Sequence, residues 1–327
     1  MKKITVLGGG TGTFVVLSGL KKYPIDLAVI VSMMDSGGST GRLQDQLGVL
    51  PPGDLRQSLV ALSEAARLWR KLFLYRFESG DLEGHNFGNI FLSALEKVTP
   101  NYDKVIETAS YVLKVKGQVI PVTFKKSQIC VRYQNGKIIK GEGNIDENYE
   151  EKTRVIEAFL EPQVEVNKKA INRLLQSDYI VVGPGDLYAS IVPILLVDGV
   201  KKAIDKSNAK IIYNMNLMTK SGQTTNYKAS DHVSDIKKYM GGNLEVVVVN
   251  NGKIPKRMLK WYQEEGEHEV KNNLDKADFK SGVVTADIVD RRKFEKPKQD
   301  KFVTARVRSV LRHNPDRLAK VLMEIIQ

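Results

Sequence analysis

The sequence predicts an α/β protein: a doubly wound, mostly parallel sheet carrying a small β-rich insertion. Three observations lead there. Short, unbroken apolar runs recur along the chain, "KITVL", "DLAVIV", "DYIVV", "AKIIY" and "LEVVVV". Strands buried on both faces read this way, whereas half-exposed strands alternate. Segments of helical spacing separate the runs, which calls for right-handed crossovers and parallel pairing. Three of the strands also run into glycine turns, "VLGGGTGTF", "VSMMDSGGSTGRL" and "IVVGPGDLYAS". Together these features describe a Rossmann-like fold, in which ligands bind outside the carboxyl ends of the strands.

The elements follow in order. Residues 3–7 form the first strand; a helix runs from Thr13 to Lys22 with Phe14, Leu17 and Leu20 on one face; residues 26–34 form the second strand. Helical segments dominate from Asp54 to Val115, where Phe87, Ile90, Phe91, Ala94, Leu95 and Val98 recur at helical spacing. The texture then changes. "ICVRYQNGKIIKGE" places Asn135-Gly136 between two strand-like runs, a hairpin signal, and the acidic loop "DENYEE" follows. The parallel pattern resumes with helix 167–176, strand 178–183, a helix around 188–204, strand 209–216, helix 230–240 and strand 244–252. The chain accordingly divides into residues 1–116, the first half of a nucleotide-binding α/β domain; 117–165, the insertion; and 166–327, the second half with a basic C-terminal segment.

The lone cysteine, Cys130, excludes an internal disulfide and points to a reducing compartment. The apolar start is too short for a signal-peptide core and no run approaches a membrane span, so a cytoplasmic location is expected. Between Arg291 and Lys320 eleven Lys/Arg face three Asp/Glu, so two-thirds of the +12 net charge lies in that stretch. It reads as a solvated surface or as a contact for acidic lipid, an acidic protein partner or a phosphorylated ligand. Its lack of interleaved aromatics argues against nucleic acid. Thr304, beside "RVRSV", is a candidate for phosphorylation, because flanking arginines would pair with the new charge. Homo-oligomerisation is the default expectation.

Three glycine turns at one sheet edge define the expected site. Glycine lets backbone N–H groups approach phosphate oxygens, and a following helix adds its positive end. The candidates are Gly9, Gly10, Thr11 and Gly12 in the first turn and Gly183, Gly185 and Asp186 in the third. The dinucleotide pattern G-x-G-x-x-G fails at Thr13 and there is no Walker loop, which disfavours NAD and an ordinary NTPase. Arg42 and Arg56 are suited to neutralise phosphate, and Asp35 and Asp54 to hold a divalent cation such as Mg2+. Asp54 reads equally as a helix cap. Asn86 and Asn89, with His85 before them, can face a ligand or cap the helix they open. A rival is the G-x-S-x-G match at Gly37–Gly41, a nucleophile elbow around Ser39 that needs an acid and one of His85, His232 or His313. The scattered histidines form no H-E-x-x-H, and there is no C-x-x-C.

These motifs together resemble the 2-phospho-L-lactate transferase (CofD)-like superfamily, and within it the YvcK-type gluconeogenesis factors. The resemblance runs in order through "GGGTG", "DSGGSTGRLQDQLGVLPPGDLRQSLVALS", "LFLYRFESGDLEGHNFGNIFLSAL", "VVGPGDLYASIVPILLV", "NLMTKSGQT" and "RHNPDRLAKVL". It implies a nucleotide-diphosphate ligand, a UDP-sugar such as UDP-N-acetylglucosamine for this branch, no established catalysis, and a link to cell shape and peptidoglycan supply during gluconeogenic growth. By motif position it implies that Gly9 to Gly12 approach the diphosphate. Asp35, Ser36, Gly37, Gly38, Ser39 and Arg42 would line the ribose, phosphate or sugar; His85, Asn86 and Asn89 would form a wall; Asn216 and Thr219 would read the base. Two positions depart from the pattern. Asp186 stands where Ser is usual, and Gln223 where Glu is usual. A site rich in backbone donors and poor in an obvious nucleophile favours a binding module with no required cofactor, beyond a possible Mg2+ carried by the nucleotide. A transferase moving a phospho-linked group is the alternative.

Overall fold

The computed structural model describes all residues except 100, 242, 276, 278, 280, 281, 293–309 and 327. Its centre is a seven-stranded sheet of β1 (Lys3–Leu7), β2 (Asp26–Val31), β3 (Gln118–Pro121), β7 (Tyr179–Val182), β8 (Lys210–Asn214), β9 (Leu244–Asn250) and β10 (Val283–Ala286). The strand order is β10-β9-β8-β7-β1-β2-β3, and every pair is parallel. In β1, β2 and β7 all but the first residues of β1 and β2 are buried, which is why these strands read as unbroken apolar runs.

Crossovers leave the centre in opposite directions, from β1 towards β3 and from β7 towards β10. Since such crossovers are right-handed, their helices fall on opposite faces. One group is α1 (Gly10–Leu20), α3 (Gly53–Leu62) and α13 (Pro315–Ile326); the other is α8 (Lys168–Gln176), α10 (Val200–Lys206) and α11 (Ala229–Met240). The strand order reverses between β1 and β7. Loops diverge there and leave a crevice.

Several boundaries differ from the sequence reading. α1 starts at Gly10 rather than Thr13, because the glycine turn itself forms the first helical turn. The second glycine loop folds into a helix, α2 (Gly38–Leu47), and the helix expected around 188–204 is broken into a π-helical turn (Leu187–Ile191), α9 (Val192–Leu195) and α10. α4 (Arg67–Leu74), α5 (Phe87–Val98) and α6 (Tyr102–Leu113) fill the expected helical region. Within 117–165, β3 pairs with β2 in the large sheet, so the separate unit starts only at β4 (Gln128–Tyr133). β4 forms an antiparallel sheet with β5 (Ile138–Lys140) and β6 (Val155–Glu161). Gly136 closes the hairpin at φ +86°, a left-handed conformation suited to glycine. After β5 comes α7 (Glu142–Asp146), which carries the insertion back towards the large sheet. Among the described residues no helix is long and apolar enough to cross a membrane. Thr304 and most of the basic segment lie outside the described residues.

Candidate functional site

A cleft of ≈ 420 Å³ opens at the carboxyl ends of β1 and β7, at the reversal of strand order. Gly9, Gly10, Thr11 and Gly12 line it from the turn into α1, Asp35 from beyond β2, and Asp54 from α3. Gly185 and Asp186 line it from the loop after β7, and Asn216 and Thr219 from the loop after β8.

The glycines of these turns serve the protein's own close approaches as well as the cleft. A Cβ on Gly9 would lie 2.0 Å from Asp54 Oδ2, and one on Gly53 would lie 1.9 Å from Asp35 Oδ2. The Gly10 N–H donates to Asp54 Oδ1 at 2.7 Å. Asp54 is therefore no cap of its own helix, where Pro52 is the N-cap; its carboxyl sits at the positive end of α1. The other first-turn N–H groups of α1 have no intrahelical partner by helix geometry.

Six carboxyl groups line one cleft: Asp35, Asp54, Glu142, Asp146, Asp186 and Glu267. Burial, then the charge of Asp35, raises Asp54 to about 7. Burial raises Glu267 to about 7 and Asp186 to about 6, with Lys220 opposing both. Asp35 and Glu142 are raised too, burial being the main cause for each. Lys220 balances part of this charge. Its Nζ lies 3.2 Å from Asp146 Oδ1, and although burial opposes its charge, Asp146, Asp186 and Glu267 together raise its pKa. Asp186 thus stands in the cleft, while Gln223 is buried, accepting from the Tyr188 N–H at 3.3 Å and donating to Asp146 at 3.4 Å.

The remaining predicted residues do not line the cleft. Asn86 is the N-cap of α5, its side chain accepting from the Asn89 N–H. Asn89 Oδ1 accepts from Arg56 Nε at 2.7 Å, and Ser39 Oγ accepts from the Asn86 N–H and from Asn89 Nδ2. With both acceptor positions used, the Ser39 hydroxyl is left to donate to His85 Nδ1, 3.2 Å away. These side chains form a buried polar network that ties α2, α3 and α5 together behind the cleft. Burial, then Arg76, lowers Arg56 to about 10, so it remains cationic. Arg42 reaches the Glu83 carbonyl at 3.0 Å. Ser36 holds α7, donating its N–H to Glu142 and accepting from the Gly143 N–H. Gly37 is the N-cap of α2, Gly38 opens that helix, and the Gly183 carbonyl accepts from Asn214. Thr219 lines the cleft, but its Oγ1 accepts from the His268 N–H at 2.8 Å.

The elbow reading lacks its orienting acid: among the described residues no carboxylate is hydrogen-bonded to His85. A serine–histidine contact exists, yet His85 is lowered by burial and by the cations Arg42 and Arg76, and a triad needs an orienting acid there. His232 lies buried against the Tyr227 ring, and His313 Nε2 contacts the Met215 carbonyl.

Sequence reasoning missed Glu142, Asp146, Lys220, Tyr262, Glu267 and His313 as cleft residues. Lys220 and His313 fall inside matched motifs, which is a usable signal. Glu142 and Asp146 reach the cleft only through the path of the insertion, and no local pattern marks that. Among the described residues no group of three or more His, Cys, Asp or Glu side chains is arranged to hold a metal ion.

Fold and site define a Rossmann-like α/β protein with a polar cleft at the switch point of a parallel sheet. The family model for 2-phospho-L-lactate transferase CofD matches residues 4–289, and the chain belongs to that family. It is 35% identical over 328 residues to the gluconeogenesis factor of Bacillus subtilis, covering 99% of this chain and 98% of that one. It is 38% identical over 260 residues to the gluconeogenesis factor of Listeria innocua, covering 79% and 80%. A crystal structure of a UPF0052-family protein from Bacillus halodurans matches with a TM-score of 0.88 at 34% identity, covering 99% of this chain and all of that one.

Proposed function

We propose that the chain is a non-catalytic regulator that binds a UDP-sugar of the UDP-N-acetylglucosamine type, and that it acts on envelope synthesis and cell shape during gluconeogenic growth. The observation that carries the ligand is Asn216. Its Nδ2 donates to the Gly185 carbonyl at 2.9 Å, which leaves Oδ1 as a buried acceptor without a partner in a residue of the cleft wall. An unpaired buried acceptor costs about 1–3 kcal/mol. The N3–H of uracil is a donor that would relieve it; the adenine amino group and guanine N1–H are donors too, and the nucleotide panel below separates these bases. Similarity to gluconeogenesis factors supports the physiological setting.

Phosphates entering beside six carboxyl groups need compensating charge. Lys220 supplies one cation, and a Mg2+ arriving with the nucleotide would supply more. Asp35 and Asp54 would hold it: each engages the protein through only part of its acceptor capacity, Asp35 through Gly37 and Thr40, Asp54 through Gly10. Two carboxylates plus phosphate and water is a common magnesium environment. The same pair supports the transferase alternative, in which the cation would neutralise a leaving diphosphate.

The test is thermal unfolding with UDP-N-acetylglucosamine, UDP-glucose, GDP, NAD and ATP, each with and without magnesium. At a hundred times its Kd, a ligand adds about 2.7 kcal/mol. Selective stabilisation by UDP-sugars that stay intact is the expected result; stabilisation by guanine nucleotides, or consumption of the ligand, would favour the transferase. Asn216→Leu is expected to weaken UDP-sugar binding about tenfold, the value of one neutral hydrogen bond. Calorimetric titration of the variant checks this, and an unchanged Kd removes Asn216 from base recognition.

A further inference from the structure

Away from the cleft, α4 presents a surface of different chemistry. It reads "RLWRKLFL": three cations, five apolar side chains and no carboxylate. Only Phe73 is buried, packed edge-on against Phe87 and Phe91 of α5. Other apolar residues face out: Leu68 is 76% exposed, Trp69 43% and Leu74 47%. A helix with only a packing role turns such residues inward.

Beside this helix runs a groove of ≈ 640 Å³, bounded also by the end of α1 and the start of α13. Lys21, Lys22, Arg67, Arg70, Lys71 and Arg292 line it, against one carboxylate among the described residues, Asp316. Asp316 pairs with Lys22, and Asp290 holds Arg292. Arg67 and Lys71 have no carboxylate partner among the described residues, and the buried Nε of Arg70 has no hydrogen-bond partner. Burial, then the charge of Arg70, lowers the Lys21 ammonium, with Glu64 opposing.

We propose that α4 and this groove form a docking surface for an anionic lipid bilayer. Outward Leu and Trp side chains beside unpaired Arg and Lys are the composition of an interfacial helix. The apolar groups enter the acyl boundary, Trp sits at headgroup level, and the cations meet anionic headgroups. A second copy is a poor occupant, since a two-fold contact through this face would set the same cations against each other. An acidic polypeptide would satisfy the cations but does not account for the exposed Leu68 and Trp69. With no helix among the described residues able to cross a membrane, the contact is peripheral and reversible.

The experiment is flotation of the full chain with vesicles of phosphatidylglycerol and phosphatidylcholine, and with phosphatidylcholine alone, while tryptophan emission is recorded. Binding to the anionic vesicles only, weakened by salt, is expected, with a blue shift that disappears in Trp69→Phe. The double variant Arg67→Gln, Lys71→Gln should partition about 30-fold more weakly, roughly fivefold per cation. Both side chains are exposed, so an unchanged Tm verifies its fold. No flotation with anionic vesicles, equal flotation with neutral ones, or an unaffected double variant overturns the proposal. Binding of soluble polyglutamate as tightly as vesicles, without a blue shift, also overturns it and assigns the face to an acidic polypeptide.

Discussion

Replacing Gly12 with alanine is expected to destabilise the protein by about 3 kcal/mol, the upper range for an overpacked site, and to lower Tm by roughly 5–10 °C. A Cβ there would lie 2.1 Å from the Pro184 carbonyl oxygen, 2.6 Å from its carbon and 3.1 Å from the Gly185 nitrogen. All three are backbone atoms, so no rotamer change relieves the contact. Neither partner is free to retreat. α1 packs against α3 and α13, where a Cβ on Gly19 would itself meet the Pro315 carbonyl at 2.2 Å. The loop after β7 is held by Asn214 on the Gly183 carbonyl and Asn216 on the Gly185 carbonyl. The added methyl would drive apart the two loops whose divergence makes the cleft, so ligand binding should fall with stability. Gly136→Ala is the control. That glycine, unlike Gly12, lies at positive φ, but nothing is within 4 Å of the added atom, so only the backbone cost of about 1 kcal/mol applies. Equal melting temperatures for the two variants would show that close approach is not what Gly12 provides.

The legible parts of the sequence were those fixed by local physics. Doubly buried parallel strands must be apolar along their length, so β1, β2, β7, β8 and β9 stand out. The Asn135-Gly136 turn announces β4 and β5 because few other pairs accept its backbone angles. What stayed hidden depends on partners distant in sequence. "GSTGRLQDQL" looks like a loop, yet Thr40 and Asp35 share a hydrogen bond that helps it coil into α2. Arg56 and Asn89 read as ligand-facing polar groups because nothing local reveals that they satisfy each other 33 positions apart. The acids of α7 enter the cleft only because the insertion folds back onto Ser36. Sequence spacing finds the strand ends that frame a site more readily than the side chains that finish it.

Those acids set the second large effect. In chelator, stability should rise by about 1 kcal/mol as pH falls from 8 to 6.5 and should keep rising below that. Asp54 and Glu267 are raised to about 7 and Asp186 to about 6, from ordinary values of 3.8, 4.5 and 3.8. Each binds its proton more tightly in the folded chain, so its contribution is complete below its ordinary value and is lost as pH rises through the folded one. His232 and His313, which burial lowers from 6.5 to about 4, offset part of that gain. They favour the fold above 6.5, and that contribution fades as pH falls towards 4. Asp54→Asn keeps an acceptor for the Gly10 N–H while removing the charge. It is therefore expected to melt above the wild type at pH 8 and to show little of the wild-type gain between pH 8 and 6.5. Magnesium has the opposite preference, because a cation requires ionised carboxylates. It should raise Tm more at pH 8 than at 6.5, and should do little in Asp54→Asn. Scanning calorimetry of both proteins in chelator and in magnesium separates the two effects. A wild-type Tm independent of pH across this range would mean that Asp54 and Glu267 ionise freely. A magnesium response undiminished in the variant would remove Asp54 from any cation site.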